Sequence, residues 1–352
     1  MKRWVILLLL SILGLPAGSV AGIITGQFHG IGYGPFHQAG QDPTSTPPTT
    51  IPSSQIQEDL GIISQARFIQ VRTFALDNGL DQVADIAQKY YPRLKIWLGV
   101  YESSVDHDNP NNTHATRWQL NRAIELANTY DNVAGIVVGD ECLQGDARAG
   151  DHWVTVNQLL ADLDYVSQGL IAPGVRNRVV LTTDLSWGAA HGDNSDPNGN
   201  IRQQLLADHQ NIDVWMINIY PYYAGGDPPG ILCTEPEIRK NLDWNYNEFN
   251  GLFGSTGKPI VIGEHGWPTE GDDYGLSHPS IDNQRLYFLA SSRWLRERTW
   301  SAFYFEMFDE PWKEKSQEPG GIGPHWGLCY GSGTPKWNLN GRFPIVNPLL
   351  FD

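Results

Sequence analysis

Two glutamates stand out because each one ends a short apolar run. Glu264 follows Pro259-Ile-Val-Ile-Gly and precedes His-Gly-Trp-Pro, a pattern that predicts a buried strand ending in a turn. Glu141 ends a second run, Val133-Ala-Gly-Ile-Val-Val-Gly-Asp. A charged group in an apolar setting is costly unless it is paired or used. Cleavage of a glycosidic bond requires at least two facing carboxyl groups, so the pair indicates that chemistry.

The two glutamates lie far apart in the sequence, so only the fold could bring them together. In a barrel of parallel strands, the carboxyl ends of different strands meet around one cleft, where such enzymes do their chemistry. Glu141 and Glu264 would therefore share a cleft if their two strands belong to one barrel.

An alternation of strands and helices runs through the chain. Residues 83–90 give a clear helical signal, because Val83, Ile86, Ala87 and Tyr90 recur at i, i+3, i+4 and i+7. Further helices are predicted at 56–63, 120–127, 159–166, 201–206, 238–253 and 286–294. Apolar runs between them predict strands at 26–36, 68–74, 94–100, 133–139, 179–183, 214–219, 260–262 and 302–308. We therefore predict a single-domain α/β fold, the (β/α)8 TIM barrel.

Two segments depart from this alternation. Residues 38–54, in the first connection between a strand and a helix, are rich in Pro and Thr and unusually long for a compact domain. We expect this loop on the active face, with an inert insertion as the alternative. Residues 314–352 form a Gly- and Pro-rich tail without a clear eighth helix.

Residues 1–21 have the three regions of a secretory signal: Lys2 and Arg3, then an apolar run, then Ser19-Val-Ala. We expect the signal to be removed and the mature chain, from residue 22, to be secreted or periplasmic. An uncleaved anchor is the alternative, although the run is shorter than the ~20 residues that span a bilayer.

The composition restricts the partners. The chain has 352 residues, a net charge of −15 and a pI near 5.0, which argues against nucleic acid or an anionic membrane surface as partner. A neutral β-glucan is compatible with this charge, and 13 Trp residues offer flat apolar faces for sugar rings. We expect a monomer without metal or cofactor. Three cysteines make an odd number for an exported chain, and a bridge between Cys233 and Cys329 is left open.

Four motifs together resemble glycoside hydrolase family 17, the β-1,3-glucanase family. The segment GEHGWPTEG, which contains Glu264, resembles the nucleophile motif of that family, and VVGDE, which ends at Glu141, resembles its acid/base motif. Residues 214–222 and 305–313 resemble two more motifs in the expected order. The resemblance implies a retaining barrel in which Glu264 is the nucleophile and Glu141 the acid/base.

Arg72 is a further candidate, because it lies on the predicted second strand two residues before Phe74. Arg72, if it points inward, would hold Glu264 ionised, and the alternative is a structural pair with Asp77 or another acid. The residues that the resemblance implies at the cleft are Tyr33, Asn218, Tyr220 and Tyr222 at strand ends, Glu310 and Lys313 as a charged pair, and Trp267 and Trp312 as sugar platforms.

Asp140 is the main departure from the family, which has Asn before the acid. An amide both donates and accepts hydrogen bonds, whereas an ionised Asp only accepts. We expect the Asp140 charge to raise the pKa of Glu141. Another departure is Gly323, where family members often carry Glu.

Three functions follow from these residues. The first is a secreted retaining hydrolase of β-glucan, acting most readily on β-1,3 linkages. The second is a transglycosylase on the same site, in which a sugar hydroxyl replaces water. The third is a catalytically silent glucan-binding barrel, which Asp140 alone favours.

Overall fold

Eight parallel strands close into a barrel, in sequence order around the ring. The computed structural model describes residues 28–143, 153–192, 200–298, 300–315 and 319–337. The strands are β1 His29–Gly32, β2 Gln70–Arg72, β3 Lys95–Val100, β4 Val133–Asp140, β5 Val180–Leu185, β6 Trp215–Ile217, β7 Ile260–His265 and β8 Ser301–Tyr304. Each strand pairs in parallel with its neighbours, and β8 pairs with β1. This topology confirms the predicted (β/α)8 barrel. The proposed signal, residues 1–21, lies outside the described residues.

Helices pack around the outside of the barrel. Their bounds are α1 Ser53–Gln65, α2 Val83–Tyr90, α3 Thr116–Thr129, α4 Val156–Gly169, α5 Val175–Arg178, α6 Trp187–His191, α7 Ile201–Ala207, α8 Glu235–Phe253 and α9 Ile281–Glu297. All seven predicted helices are present, and the short α5 and α6 were not predicted. No helix of the described residues is long and apolar enough to cross a membrane.

Helix α9 illustrates why these segments are helical. The Ser280 hydroxyl accepts a hydrogen bond from the Asn283 backbone N–H at 3.1 Å and so caps the first turn. Tyr287, Ala290 and Trp294 recur at helical spacing and are buried against the barrel. The cap and the apolar face together fix the start and the orientation of the helix.

The barrel interior is closed below the cleft by side chains from almost every strand. This cluster consists of Phe28, Trp97, Val137, Val180, Val214, Met216, Val261 and Phe303. Gly135 has to be small, because a Cβ there would overlap the indole of Trp97. The interior is therefore a packed core, and the chemistry is confined to the carboxyl ends of the strands.

The bounds of most strands differ from the prediction, and the differences at β7 and β8 bear on the site. Strand β7 continues to His265, so Glu264 lies within the strand, whereas β8 stops at Tyr304 and the chain is irregular from there to Phe308. Among the described residues after β8, only short 3₁₀ turns occur, at Pro311–Lys315, Pro319–Gly321 and Gly323–His325. The described tail thus contains no eighth α-helix, in line with its Gly- and Pro-rich sequence.

Candidate active site

Glu264 lies near the carboxyl end of β7 and is buried, with 8% of its surface exposed. The pairing register of β7 with β8 shifts between Ile262 and His265, and such irregularities re-aim side chains at barrel rims. The Tyr220 hydroxyl donates a 2.6 Å hydrogen bond to Oε2 of Glu264. Burial raises the pKa of Glu264 well above its ordinary value, the Asp140 charge adds to the rise, and the Arg72 guanidinium opposes it.

Glu141 lies directly beyond β4 and is half-buried. The register of β4 with β5 shifts between Val137 and Asp140, so this glutamate also follows an irregularity. Gly139 and Glu141 both have positive φ, 74° and 51°, and the second is strained for a residue with a Cβ. The Asn218 amide donates a 2.8 Å hydrogen bond to Oε1 of Glu141, which fixes its side chain.

Arg72 connects the carboxylates. It is 1% exposed and donates hydrogen bonds to Asp140 Oδ1 at 3.0 Å, to the Gly263 carbonyl at 2.9 Å, and to Asp184. Its Nη1 lies 3.7 Å from Oε1 of Glu264. The inward orientation agrees with the expectation for Arg72, and the acids it binds are Asp184 and Asp140. Asp77, the alternative partner predicted for Arg72, instead pairs with His114, and its Oδ2 lies 2.8 Å from Nδ1 of that ring.

Asp184 is a site residue that the sequence reasoning missed. Its carboxylate sits against the Cα of Gly263, where a Cβ would overlap it, and its backbone carbonyl accepts the Glu141 N–H at 3.0 Å. Burial raises the pKa of Asp184 well above its ordinary value, and Arg72 opposes that rise. A signal was available, because Val179-Val-Leu-Thr-Thr-Asp is a third apolar run that ends on an acid.

A cleft of about 740 Å³ opens over these groups, and we call it the first cleft. Glu264, Glu141 and Asp140 lie in its wall, together with side chains from the β1, β2, β3 and β8 ends. The Pro/Thr-rich loop contributes Pro43, Thr44, Ser45 and Pro48. Aromatic wall residues that the sequence reasoning did not select are Phe36, Phe74, Tyr101 and Phe305.

The charged pair implied by the resemblance is present in this wall. Lys313 Nζ lies 2.9 Å from Oε2 of Glu310 and 2.7 Å from Oε1 of Glu306. Glu306 is completely buried and serves as a partner of Lys313. Trp312 also lines the cleft, and its buried indole nitrogen makes no hydrogen bond within the described residues.

Two of the proposed cleft residues, Trp267 and Tyr222, are placed differently from the prediction. Trp267 is fully buried and donates its indole N–H to the His278 carbonyl at 3.0 Å, so it cannot serve as a sugar platform. Tyr222 is 1% exposed and bonds the Asp272 carbonyl at 3.0 Å. Tyr33 touches the cleft, but its hydroxyl bonds Asp59 at 2.7 Å. Of the tyrosines proposed from the resemblance, Tyr220 is the one that reaches Glu264.

His265 points away from the cleft, as the alternation along a strand predicts. Its Nε2 lies 3.1 Å from Nε2 of His29, and its Nδ1 lies 3.2 Å from the Tyr287 hydroxyl on α9. Burial lowers the pKa of His265 well below its ordinary value, so the ring is neutral. The three cysteines, Cys142, Cys233 and Cys329, are free thiols, and the bridge left open above is not formed.

Two groups of described side chains could each offer three ligands to one cation. In the group formed by Asp140, Asp184 and Glu264, the Arg72 guanidinium already supplies the positive charge. In the other, His107 lies 3.0 Å from Asp162 and 3.6 Å from Glu102, and these two carboxylates raise its pKa to about 10. Both groups are therefore explained by ion pairing within the protein.

Comparison with known proteins places this barrel among glucan-active relatives. The glucan 1,3-beta-glucosidase of Schizosaccharomyces pombe is 28% identical over 210 residues, which cover 60% of this chain and 58% of the relative. The putative glucan endo-1,3-beta-glucosidase btgC of Aspergillus niger is 26% identical over 286 residues, 76% of this chain and 37% of the relative. The chain spans less than two thirds of the length of either relative.

Solved structures share the fold. An endo-laminarinase from Formosa superposes with a TM-score of 0.71 at 19% identity, covering 90% of this chain and 87% of that one. A family 17 beta-1,3-glucanosyltransferase from Rhizomucor miehei superposes with a TM-score of 0.61 at 22% identity, covering 90% and 97%. Residues 30–327 match the BtgE/BtgC glycoside hydrolase domain. In keeping with the family 17 resemblance drawn from the motifs, this chain belongs to the BtgE/BtgC glycoside hydrolase family.

Proposed function

We propose that the protein is a retaining glycoside hydrolase that cleaves β-1,3-linked glucan, with Glu264 as nucleophile and Glu141 as acid/base. The observation that carries the proposal is the presence of both carboxylates in one cleft with different supports. Glu264 is held by Tyr220 and lies beside Arg72, whereas Glu141 is held by the neutral amide of Asn218. Unequal surroundings are what a nucleophile and an acid need.

In the first step, the Glu264 carboxylate attacks the anomeric carbon of the sugar bound beside it. The bond from that carbon to the glycosidic oxygen breaks, and Glu141 gives its proton to the departing oxygen. The product is a glycosyl ester on Glu264. Arg72 and the Tyr220 hydroxyl favour the ionised form of Glu264 before attack, since positive charge and hydrogen-bond donors stabilise a carboxylate.

In the second step, Glu141 is a carboxylate and takes a proton from a water molecule. The water oxygen attacks the anomeric carbon, the ester bond breaks, and Glu264 is released as a carboxylate. The two inversions leave the β configuration unchanged. Asn218 holds Glu141 through both steps, because an amide donor can bond the carboxylic acid and the carboxylate alike.

The choice of β-1,3-glucan rests on the relatives. The matched curated proteins are named glucan 1,3-beta-glucosidases, and the Rhizomucor miehei barrel has been solved in complex with laminaritriose. Several aromatic side chains line the first cleft, and their flat apolar faces suit contact with sugar rings. We also propose that the mature chain acts outside the cytoplasm, on the basis of the signal pattern in residues 1–21.

The test is a mass-resolved time course on laminarihexaose, the β-1,3-linked glucose hexamer, with proton NMR of the first product formed. We expect shorter oligosaccharides whose new reducing ends appear first in the β form. Glu264→Gln should abolish this signal, and Glu141→Gln should slow its appearance by about 10²- to 10⁴-fold. Full activity of both variants, or α product from the native chain, would sink the proposal.

A second candidate is transfer of the glycosyl unit to another glucan instead of water. It is favoured by a second groove, described below, which starts at Glu141 and lies on the other side from the first cleft. Products longer than the hexamer in the same time course would identify transfer. Binding of the hexamer without any product would identify the silent glucan-binding barrel.

A further inference from the structure

Three aromatic rings stack beside Glu141, outside the first cleft. The rings of Trp187 and His191 lie 4.4 Å apart at 16°, and those of Trp187 and Trp244 lie 6.0 Å apart at 24°. Trp187 and His191 belong to α6 and Trp244 to α8, so the stack joins two helices at the active face. We call these three residues the ring stack.

Two members of the ring stack, Trp187 and Trp244, line a second groove of about 780 Å³. Glu141 lies in the walls of both this groove and the first cleft. Apart from Glu141, the second groove is lined by the connections after β5 and β6 and by α8, whereas the first cleft draws on β1, β2, β3 and β8. A sugar chain that passes the carboxylates therefore leaves the first cleft and enters the second groove at Glu141.

Two rings of the stack are held at their edges by polar contacts. The Trp187 indole N–H donates to Asn245 Oδ1 at 2.9 Å, and His191 Nε2 lies 3.2 Å from Glu248. Trp244 is 49% exposed, which is unusual for so large an apolar side chain. Half-exposed rings held in a fixed orientation at a groove are suited to contact with the flat apolar faces of sugars.

Polar groups lie at the edge of the same groove. Glu237, Lys240 and Asn241, on successive turns of α8, contribute to its wall. Apolar faces beside hydroxyl-binding groups match a pyranose, which carries C–H groups on its faces and hydroxyls at its rim. The groove has one negative and one positive side chain at this edge, so it does not select for a charged ligand.

We propose that Trp187 and Trp244 form a binding platform for the β-glucan segment on the leaving-group side, which becomes the acceptor side once the glycosyl ester has formed. This inference rests on the proposed roles of Glu264 and Glu141. A glucan held there places a sugar hydroxyl at Glu141, which takes its proton as it would from water. The hydroxyl oxygen then bonds the anomeric carbon as the ester to Glu264 breaks.

The first experiment measures binding alone, so it does not depend on turnover. Isothermal titration of laminarihexaose into Glu264→Gln protein is compared with the same protein carrying Trp244→Ala. We expect the Kd to rise about tenfold, the scale of one lost aromatic contact. Trp244→Phe, which keeps a flat ring, should restore most of the affinity, whereas Trp244→Leu should not. An unchanged Kd in Trp244→Ala would overturn the platform.

The matched control is Tyr90→Ala. Tyr90 is 45% exposed on α2 and lines neither the first cleft nor the second groove. Its removal should leave the Kd unchanged, and circular dichroism melting checks that every variant is folded. An equal loss of affinity in Tyr90→Ala would mean that the effect of Trp244 is not specific to the groove, and would also overturn the proposal.

The second experiment uses the active chain and separates this proposal from the proposed function. The ratio of transfer to hydrolysis products is measured against laminarihexaose concentration for the native chain and Trp244→Ala. We expect the variant to need about tenfold more acceptor for the same ratio. An identical ratio contradicts the platform. Retained turnover in Glu264→Gln would contradict the proposed function. The platform would then be tested by the Kd comparison of the first experiment.

Discussion

Glu264 and Glu141 end similar sequence runs but occupy different surroundings. Glu264 lies inside β7, is 8% exposed, and is approached by a phenol and a guanidinium. Glu141 lies one residue beyond β4 in a strained conformation, is half-buried, and borders both the first cleft and the second groove. Because the two sequence runs are alike, the proposed difference in role between the two acids comes from their neighbours in the fold.

The surroundings fit the two proposed roles. A nucleophile has to be fixed and ionised. The Tyr220 hydroxyl donates a hydrogen bond to Glu264. Charged groups at three other strand ends shift the pKa of Glu264, and they are Arg72, Asp140 with Glu141, and Asp184. An acid/base has to meet both the departing sugar and the incoming water or sugar, and Glu141 borders both spaces. Substitutions at the two glutamates and at their neighbours test these roles separately.

The largest effect is expected for Glu264→Gln. An amide cannot form the glycosyl ester, so kcat should fall by roughly 10⁴-fold or more on every substrate, whatever its leaving group. The measurement is initial rates on laminarihexaose and on an aryl β-glucoside. Glu270→Gln, an exposed glutamate six residues further on, is the control and should keep native rates.

A smaller and substrate-dependent effect is expected for Glu141→Gln. Loss of the general acid should reduce the rate on laminarihexaose by about 10²- to 10⁴-fold. On an aryl glycoside with an acidic phenol, formation of the ester needs little protonation, so a burst of phenol should survive. Rapid-quench measurement of that burst is the test, and absence of the burst would contradict the assignment of Glu141 as the acid.

Tyr220→Phe should weaken the support of Glu264 without removing it. A hydrogen bond to a charged group contributes about 1.5–3 kcal/mol, so kcat should fall roughly 10- to 100-fold. Losing a donor to the carboxylate should also raise the pKa of Glu264 and move the acid limb of the pH–rate profile upward. Tyr222→Phe is the control, since its hydroxyl bonds the Asp272 carbonyl and should leave the acid limb unmoved.

Asp140→Asn is expected to shift the pH dependence in the opposite direction. Activity requires ionised Glu264 and is lost as the pH falls through its pKa, which the Asp140 charge raises. Removing that charge should lower this pKa and move the acid limb of the profile to lower pH. The profile of kcat/KM is the measurement, and an upward shift would contradict the arrangement around Arg72. The effect of Asp140 on the pKa of Glu141 stays a prediction.

The architecture could be predicted from the sequence because the signals for strands and helices are local. Helical spacing, apolar runs and the acids that end them repeat over a few residues, and they predicted all eight strands and seven helices. The same rule would have found Asp184, which ends a third run. Strand ends were less well predicted, since register shifts in β4 and β7 depend on pairing with β5 and β8.

By itself, the sequence determined the barrel and the placement of Glu141 and Glu264 at the carboxyl ends of two strands. The tertiary structure decided that Tyr220 reaches Glu264 while Tyr33 and Tyr222 bond elsewhere, and that Trp267 is buried while Trp244 is exposed. The physical reason is that hydrogen-bond partners and burial are set by packing between elements far apart in the chain, which no local pattern records.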